Sequence, residues 1–294
     1  MLFYLCYRAG ILCCRLLPRP VCEWIACRLA DFSAARPSSD RRAIRSNLAA
    51  IRGTEQVPAE DVRDLFRNFA LYLADFFRFD RLTPERARRM VKVEGLERME
   101  ESLRGGKGAI GLTAHLGNYE LAAAVTSLLG MPVHGVVLTH RNRRVDDFFT
   151  RQRMRVGVRG IPVQTLGPRG FFEQAVSVLR KGEILGLVGD RDFFDHGIDL
   201  PFFGRTMRVP TGPAGFSLRT GAPIVPCFLV REPDGSYRMV FEPPLKMPEE
   251  GTREEKIRRL CEAWMEVLAR WVGRYPTQWY VFQEFWRTPP AFIR

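Results

Sequence analysis

The segment 111–124, GLTAHLGNYELAAA, holds a histidine and a carboxylate at a spacing that suits acid–base chemistry. A buried strand is predicted to end just before His115, at the carboxyl edge of a sheet, where open α/β sheets bind their ligands. Gly117 predicts a turn and Asn118 predicts a helix N-cap, so Glu120 falls in the first helical turn. Across such a strand–turn–helix junction, the carboxylate of Glu120 can return to the imidazole of His115.

This pairing predicts a general base. A neutral imidazole can accept the proton of a hydroxyl group while the hydroxyl oxygen attacks a thioester carbonyl. A carboxylate on the other ring nitrogen fixes the tautomer and stabilises the imidazolium that forms. The alternative is structural, because a glutamate in a first helical turn often only complements the helix dipole. A histidine at a strand end is likewise often no more than a hydrogen-bonded structural residue.

The other histidines are weaker candidates. His134 lies inside a strand pattern, and His140 lacks a carboxylate at a similar spacing. His196 lies among three aspartates, which raises the alternative of a metal site, but their spacing matches no known ligand pattern. We therefore predict neither a metal nor a cofactor. The three aspartates are Asp192, Asp195 and Asp199.

The elements that must position the pair alternate between strands and helices from about residue 107 onward. This alternation predicts an α/β fold with a mostly parallel central sheet flanked by helices. Strands are predicted over 107–114, 132–138, 161–166, 183–190, 222–231 and 236–243, and helices over 119–130, 144–157, 170–182, 211–221 and 252–275.

The N-terminal part has a different pattern. Residues 1–53 are predicted to be helical and are interrupted by prolines, and residues 59–79 have the apolar spacing of one amphipathic helix. Residues 1–17 are apolar but contain Arg8 and Arg15, which disfavours a membrane-spanning helix. They suit a helix lying in the membrane interface, although the same apolar stripe also suits packing on the protein's own core. We predict a helical membrane-associating segment over 1–53 and an α/β domain over 54–294.

Composition narrows the class of partner. The chain of 294 residues has 45 Lys plus Arg against 33 Asp plus Glu, a net charge of +12. Such an excess attracts nucleic acid, an anionic membrane or acidic and phosphorylated substrates. The sequence has no recognisable nucleic-acid-binding motif, so nucleic acid is not predicted. The seven cysteines follow no disulfide or zinc framework, which predicts reduced thiols on a cytoplasmic face.

The segment HLGNYEL, 115–121, resembles the His-x-x-x-x-Glu/Asp block of the bacterial lipid A biosynthesis (lauroyl/myristoyl) acyltransferases, which are related to the glycerolipid acyltransferases. Segments 138–157, 179–192 and 200–231 resemble further blocks of this family, in the same order. The resemblance implies a glycerolipid acyltransferase-like fold. It also implies transfer of a fatty acyl group from acyl carrier protein, or from acyl-CoA, to a hydroxyl of a lipid A precursor or related glycolipid.

The resemblance also implies residue roles. His115 would be the base and Glu120 its partner, Arg153 would stabilise the oxyanion or hold substrate, and Asp190 would be a supporting carboxylate. The alternative for the arginines is that they are solvated surface charges with no role at the substrate. Further residues implied at the substrate are Asn118, Arg141, Gly204, Arg205, Arg208 and Thr211.

The implied partners are acyl carrier protein, an anionic lipid or glycolipid acceptor and the membrane surface. The implied location is the cytoplasmic face of the bacterial inner membrane, reached peripherally or through an N-terminal anchor. Three alternatives stay open. One is the same chemistry on another phospholipid, lysolipid or mannosylated inositol lipid. The second is a non-catalytic lipid-binding protein, and the third is a thioesterase-like hydrolase.

Overall fold

The structure is a computed structural model that describes residues 2–140, 142–192, 195–283 and 286. Nine strands and eleven α-helices are described in these ranges. The strands are β1 (Val91–Glu94), β2 (Ala109–Thr113), β3 (Val133–Val137), β4 (Arg159–Pro162), β5 (Ile184–Val188), β6 (Ile198–Phe202), β7 (Arg205–Val209), β8 (Ile224–Arg231) and β9 (Tyr237–Phe241). The helices are α1 (Leu2–Leu16), α2 (Arg19–Ala35), α3 (Ser39–Arg52), α4 (Ala59–Phe77), α5 (Pro84–Met90), α6 (Leu96–Arg104), α7 (Tyr119–Leu128), α8 (Arg143–Arg155), α9 (Val163–Arg180), α10 (Gly212–Thr220) and α11 (Arg253–Arg274).

Seven strands form the central sheet in the order β1-β9-β8-β2-β5-β3-β4. All neighbouring strands are parallel except β8 and β9, which are antiparallel. Strand β2 is buried at all five positions, as expected for a parallel strand covered by helices on both faces. The predicted mostly parallel α/β fold is confirmed.

Two apolar cores lie on the two faces of the sheet. One face packs on α9, α10 and α11, with Leu179, Phe216 and Leu268 in its core. The other face packs on α4, α7 and α8, with Phe76, Leu121 and Phe149 in its core. The polar edge between these layers, at the carboxyl ends of β2 and β5, is where the predicted site residues lie.

One predicted strand is shorter than expected. The prediction over 161–166 was wrong beyond Pro162, because Val163 already begins α9. Residues 163–166 form one turn before Gly167, whose φ of 66° interrupts the helix just ahead of Pro168. Apolar residues at the end of an edge strand fit either state, so the pattern alone does not fix the boundary.

Three strands were not predicted from the sequence. Strand β1 has only four residues, and β6 and β7 form a separate antiparallel hairpin. The hairpin turns through Phe203 and Gly204, both with positive φ. A four-residue strand and a polar hairpin have too few apolar positions for a period-2 pattern to be visible.

The N-terminal helices have one packed side and one exposed apolar side. Helix α2 packs on α4, and Cys22, Ala30 and Ala34 are buried. On the outward side, Leu16 of α1 is 72% exposed and Trp24 of α2 is 65% exposed. None of the helices in the described part of the chain combines the length and the apolar character needed to cross a bilayer.

Candidate active site

The strand register brings two site residues together. Thr113, the last residue of β2, pairs with Val188, the last residue of the neighbouring strand β5. His115 and Asp190 each follow two residues later, so they leave the sheet side by side. The Nδ1 atom of His115 lies 2.7 Å from Oδ1 of Asp190, and the backbone N–H of His115 donates to Oδ2 at 3.1 Å.

Asp190 is buried and fully hydrogen-bonded. The indole N–H of Trp279 donates to its Oδ2 atom at 2.9 Å. Burial by itself raises the pKa of this carboxyl, but the charge and hydrogen bond of His115, together with Arg191 and Trp279, lower the pKa to about 2. Asp190 is therefore ionised at neutral pH.

The ionised carboxylate determines the tautomer of His115. A carboxylate only accepts hydrogen bonds, so Nδ1 of His115 must carry the proton that bonds Asp190. In the neutral ring, the lone pair then lies on Nε2. The His115 side chain is 19% exposed, and its backbone carbonyl accepts from the N–H of Tyr280 at 2.7 Å. The residue is held from both sides while its ring stays partly open to solvent.

Glu120 pairs with Arg153 and not with His115. The Nε atom of Arg153 donates to both carboxylate oxygens of Glu120, at 3.0 and 3.1 Å. The predicted contact between Glu120 and the ring of His115 is wrong, because Asp190 occupies the Nδ1 side of that ring. The pairing instead joins α7 to α8, and the catalytic role of Glu120 stays a prediction.

Arg153 lies among aromatic rings and is largely buried. Its guanidinium carbon is 5.9 Å from the ring centroid of Phe76 and 5.7 Å from that of Phe149. Burial by itself lowers the pKa of Arg153, but the carboxylate of Glu120 outweighs it and raises the pKa above its ordinary value. The alternative of a solvated surface charge does not describe this arginine.

The turn between His115 and α7 has strict backbone demands. Gly117 has a φ of 63°, and a Cβ atom there would lie 1.9 Å from the carbonyl oxygen of Leu229. Only glycine fits this position. The predicted N-cap is confirmed, since the side chain of Asn118 accepts from the N–H of Leu121 at 3.0 Å. Its amide also donates to the buried carboxylate of Asp75 at 3.3 Å.

Tyr119 contacts the ring of His115 and the hydroxyl of Tyr72. Its ring meets the ring of His115 edge-on, with centroids 5.4 Å apart. Its hydroxyl lies 3.0 Å from the hydroxyl of Tyr72, and Tyr72 is buried in α4. Burial raises the pKa of Tyr119 to about 12, so the phenol is neutral at physiological pH.

The residues predicted at the substrate end lie on the β6–β7 hairpin and the start of α10. Arg208 faces acidic side chains, with its Nη1 atom 3.2 Å from Asp199. Arg205 is exposed, Gly204 forms the hairpin turn, and Thr211 precedes α10. Their substrate roles stay predictions, and Arg141 lies outside the described residues.

His134 and His140 have contacts outside the His115–Asp190 pair. His134 is buried, with its Nε2 atom 2.8 Å from the carboxylate of Glu183. The ring of His140 packs on Phe149 with centroids 4.5 Å apart. Asp192 and Asp199 both lie near Arg208. Among the described residues, no group of three or more side chains could hold a metal ion.

Sequence reasoning missed three contributors to this site. The indole of Trp279 supports Asp190, the backbone of Tyr280 holds His115, and Tyr72 bonds Tyr119. Trp279 carries the one available signal, since it ends a Pro-Thr-Gln-Trp motif that also fits the family pattern. Its contact with Asp190, 89 positions away, exists only once the chain is folded.

A histidine–aspartate pair lies at the carboxyl edge of a mostly parallel sheet, and a buried glutamate–arginine pair lies in the helices that follow. Such an arrangement can carry out acid–base chemistry. The sequence model of the bacterial lipid A biosynthesis acyltransferases matches residues 2–288. The chain belongs to this family, and the predicted acyltransferase class is confirmed.

Named relatives fall into two groups. The chain is 25% identical to a phosphatidylinositol mannoside acyltransferase of Mycolicibacterium smegmatis, over 95% of this chain and 90% of the relative. A protein of the same name from Mycobacterium tuberculosis H37Rv is 25% identical over 90% of this chain and 86% of its own length. A lipid A biosynthesis palmitoleoyltransferase of Escherichia coli K12 is 26% identical over 78% of this chain and 74% of its own length.

Proposed function

We propose that this acyltransferase moves a fatty acyl group from a thioester to a hydroxyl of a membrane glycolipid, with His115 as general base. The observation that carries the proposal is the 2.7 Å contact between Nδ1 of His115 and the buried carboxylate of Asp190. This contact leaves Nε2 as the free basic nitrogen of a partly exposed ring.

The reaction balances with these groups alone. Nε2 of His115 takes the hydroxyl proton as the acceptor oxygen bonds to the thioester carbonyl carbon. The carbon–sulfur bond then breaks, and the leaving thiolate takes the proton from the imidazolium. Asp190 stabilises that imidazolium through Nδ1, and it needs no proton of its own in any step.

In the proposal, the Glu120–Arg153 pair positions a guanidinium group for the substrate. Two nitrogens of Arg153 are held by Glu120, which fixes the plane of the guanidinium. A fixed guanidinium can direct its remaining N–H groups at the oxyanion of the tetrahedral intermediate or at an anionic part of the substrate. Glu120 then acts through Arg153 as a positioning residue.

Acyl carrier protein is the proposed donor, with acyl-CoA as the second candidate. Acyl carrier protein is acidic, and a protein of net charge +12 attracts an acidic partner at long range. Acyl-CoA is also anionic, so charge supports both donors, and only an assay with each separates them.

The acceptor follows from the two groups of relatives. A lipid A precursor and a mannosylated inositol lipid both present sugar hydroxyls on an anionic lipid. The proteins named phosphatidylinositol mannoside acyltransferase align over more of this chain than the lipid A palmitoleoyltransferase does. The shared chemistry is acylation of a glycolipid hydroxyl, so the lipid A precursor expected from the sequence and the mannosylated lipid are both candidate acceptors.

A membrane location is part of the proposal. The outward sides of α1 and α2 expose Leu12, Leu16, Trp24, Leu29 and Phe32. A helix side of this kind can enter the interface of a bilayer while the opposite side stays packed on the protein. We place this surface on the cytoplasmic face of the bacterial inner membrane, where the donor and the acceptor would meet.

The test is an acyl-transfer assay on the purified protein. Palmitoyl-loaded acyl carrier protein and palmitoyl-CoA are each offered with a tetra-acylated lipid A precursor or with a phosphatidylinositol dimannoside. Mass spectrometry then identifies the acylated lipid. We expect one acceptor to gain one acyl group, and His115→Ala to lower the rate by about a thousandfold or more.

The matched control is His134→Gln. His134 lies near the amino end of β3, whereas His115 follows the carboxyl end of β2. Glutamine is long enough to keep a contact with Glu183. This variant should keep its activity. Activity retained in His115→Ala would reject the base mechanism. Release of free fatty acid without acylated lipid would support the hydrolase, and lipid binding without either product would support the non-catalytic protein.

A further inference from the structure

A groove of about 470 Å³ lies between α1 and α8, on the sheet face that packs on α4 and α7. Its walls are residues 7–15 of α1 and residues 144–155 of α8, and we call it the α1–α8 groove. Its volume falls within the range of pockets that hold small ligands. Neither His115 nor Asp190 lines it, so it is separate from the site described above.

The rim of the groove is strongly basic. The rim side chains are Arg8 and Arg15 of α1 and Arg144, Arg151 and Arg155 of α8. The described residues that line the groove include no aspartate or glutamate. Five guanidinium groups around one opening favour a ligand with phosphate oxygens, which arginine binds in a bidentate way.

One neighbouring carboxylate reduces this charge without removing it. Asp80 lies 3.1 Å from Arg15 and 3.9 Å from Arg155. Asp80 is shared by two arginines and can balance only one of the five rim charges. The floor beneath the rim is apolar, with Tyr7, Ile11, Leu12, Val145 and Phe148.

The groove continues into the exposed apolar side of the N-terminal helices. Leu12 lines the groove and is itself 57% exposed, and Leu16 lies one turn further along α1. A ligand in the groove can therefore extend an acyl chain along this apolar surface. An acidic carrier protein could bind the arginines, but a lipid can also fill the apolar floor that continues onto the apolar surface.

We propose that the α1–α8 groove binds one anionic phospholipid, with its phosphate on the arginine rim and an acyl chain on the apolar floor. The bound lipid holds α1 and α8 at the membrane surface. This proposal does not depend on the acyl-transfer chemistry, because the groove does not contain His115 or Glu120.

The test uses short-chain lipids, which bind as monomers and so separate the groove from general membrane association. Dihexanoyl phosphatidylglycerol and dihexanoyl phosphatidylcholine are titrated below their micelle concentrations into the full chain in a non-ionic detergent. Native mass spectrometry counts the bound molecules. We expect one phosphatidylglycerol per chain and binding of phosphatidylcholine about tenfold weaker, since an anionic headgroup gains the arginine contacts.

Two variants address the two halves of the groove. Arg144→Gln with Arg151→Gln removes charge from the rim, and we expect the affinity for phosphatidylglycerol to fall by about tenfold or more. Ala9→Trp places a large ring in the groove from an exposed position, and we expect it to prevent binding. His115→Ala should bind the lipid as the wild type does, even where acyl transfer is lost.

The matched control for charge is Arg258→Gln with Arg259→Gln. These two exposed arginines lie on α11, which packs on the opposite face of the sheet. Lipid binding should be unchanged in this variant. Equal affinity for the two lipids, or full binding by Ala9→Trp, would overturn the proposal. The proposal would also be overturned if the rim variant lost binding of acyl carrier protein but kept binding of the lipid.

Discussion

Two of the buried carboxylates in the site, Asp190 and Glu120, have different partners. Asp190 bonds a histidine, which can accept and donate a proton, whereas Glu120 bonds an arginine, which stays protonated. Both carboxylates lie within a few residues of strand ends on the same edge of the fold. Proximity to the site therefore does not define a role, because the partner determines whether a carboxylate can assist proton transfer or can only hold a fixed charge.

The supports of the two pairs differ as well. Asp190 accepts from the backbone and ring of His115 and from the indole of Trp279, so three donors converge on two oxygens. Glu120 takes its bonds from Arg153 alone among the contacts that the structure gives. The first pair is fixed by the sheet and by the C-terminal segment, and the second depends on where the fold places α7 and α8.

The largest effect is expected from Asp190→Asn. Asparagine has one acceptor oxygen for the three donors that converge here, and it cannot stabilise an imidazolium by charge. We expect kcat to fall by about a thousandfold, with KM changed little and the far-UV circular dichroism unchanged. Near wild-type kcat in a folded Asp190→Asn protein would show that the histidine–aspartate pair is not the catalytic one.

The second prediction concerns the arginine pair. Glu120→Gln and Arg153→Gln each leave a buried charge without its partner, which costs about 3–5 kcal/mol of stability. The double variant should be more stable than the sum of the two single changes predicts, since neither charge is then left alone. Urea unfolding of all four proteins measures this coupling.

A further variant, Glu120→Asp, tests the same pair through kinetics. If Glu120 acts through Arg153, then Glu120→Asp keeps the carboxylate and should recover more activity than Glu120→Gln. The pH profile of kcat should keep its shape in both variants, because neither residue donates or accepts the transferred proton. A changed profile would place Glu120 on the proton path.

The third prediction concerns acid stability. The pKa of Asp190 is lowered from 3.8 to about 2, so its ionised form stabilises the fold above pH of about 4. As the pH falls towards 2, the carboxylate is protonated and a contribution on the order of 2 kcal/mol is lost. The stability difference between wild type and Asp190→Asn, measured by urea unfolding, should therefore shrink between pH 5 and 2.5.

The smallest effect is expected from Tyr119→Phe. This change removes the hydroxyl that lies 3.0 Å from Tyr72 but keeps the ring that packs on His115. We expect a loss of about 1 kcal/mol in the free energy of unfolding and a change in kcat of about twofold or less. Tyr119→Leu, which also removes the ring, should lower kcat further, and equal kcat values would mean that the ring does not position His115.

Much of the fold is readable from the sequence because it depends on local periodicity. The buried runs of β2 and β5, the amphipathic pattern of α4 and the N-cap at Asn118 all occur within one element. The expected membrane association of residues 1–53 stays a prediction, since the exposed apolar side of α1 and α2 is compatible with it but does not test it. The short strands β1, β6 and β7 are not readable, because four or five residues carry too little periodic signal.

The residues that could do the chemistry are recognisable without a structure: His115 and Glu120 by their spacing, and Asp190 by the family pattern. Which of them meet depends on the fold. The register of β2 on β5 sets His115 against Asp190, and the relative placement of α7 and α8 in the fold sets Arg153 against Glu120. Hydrogen bonds between residues 75 and 33 positions apart depend on how strands align and helices pack, and no local spacing along the chain contains that information.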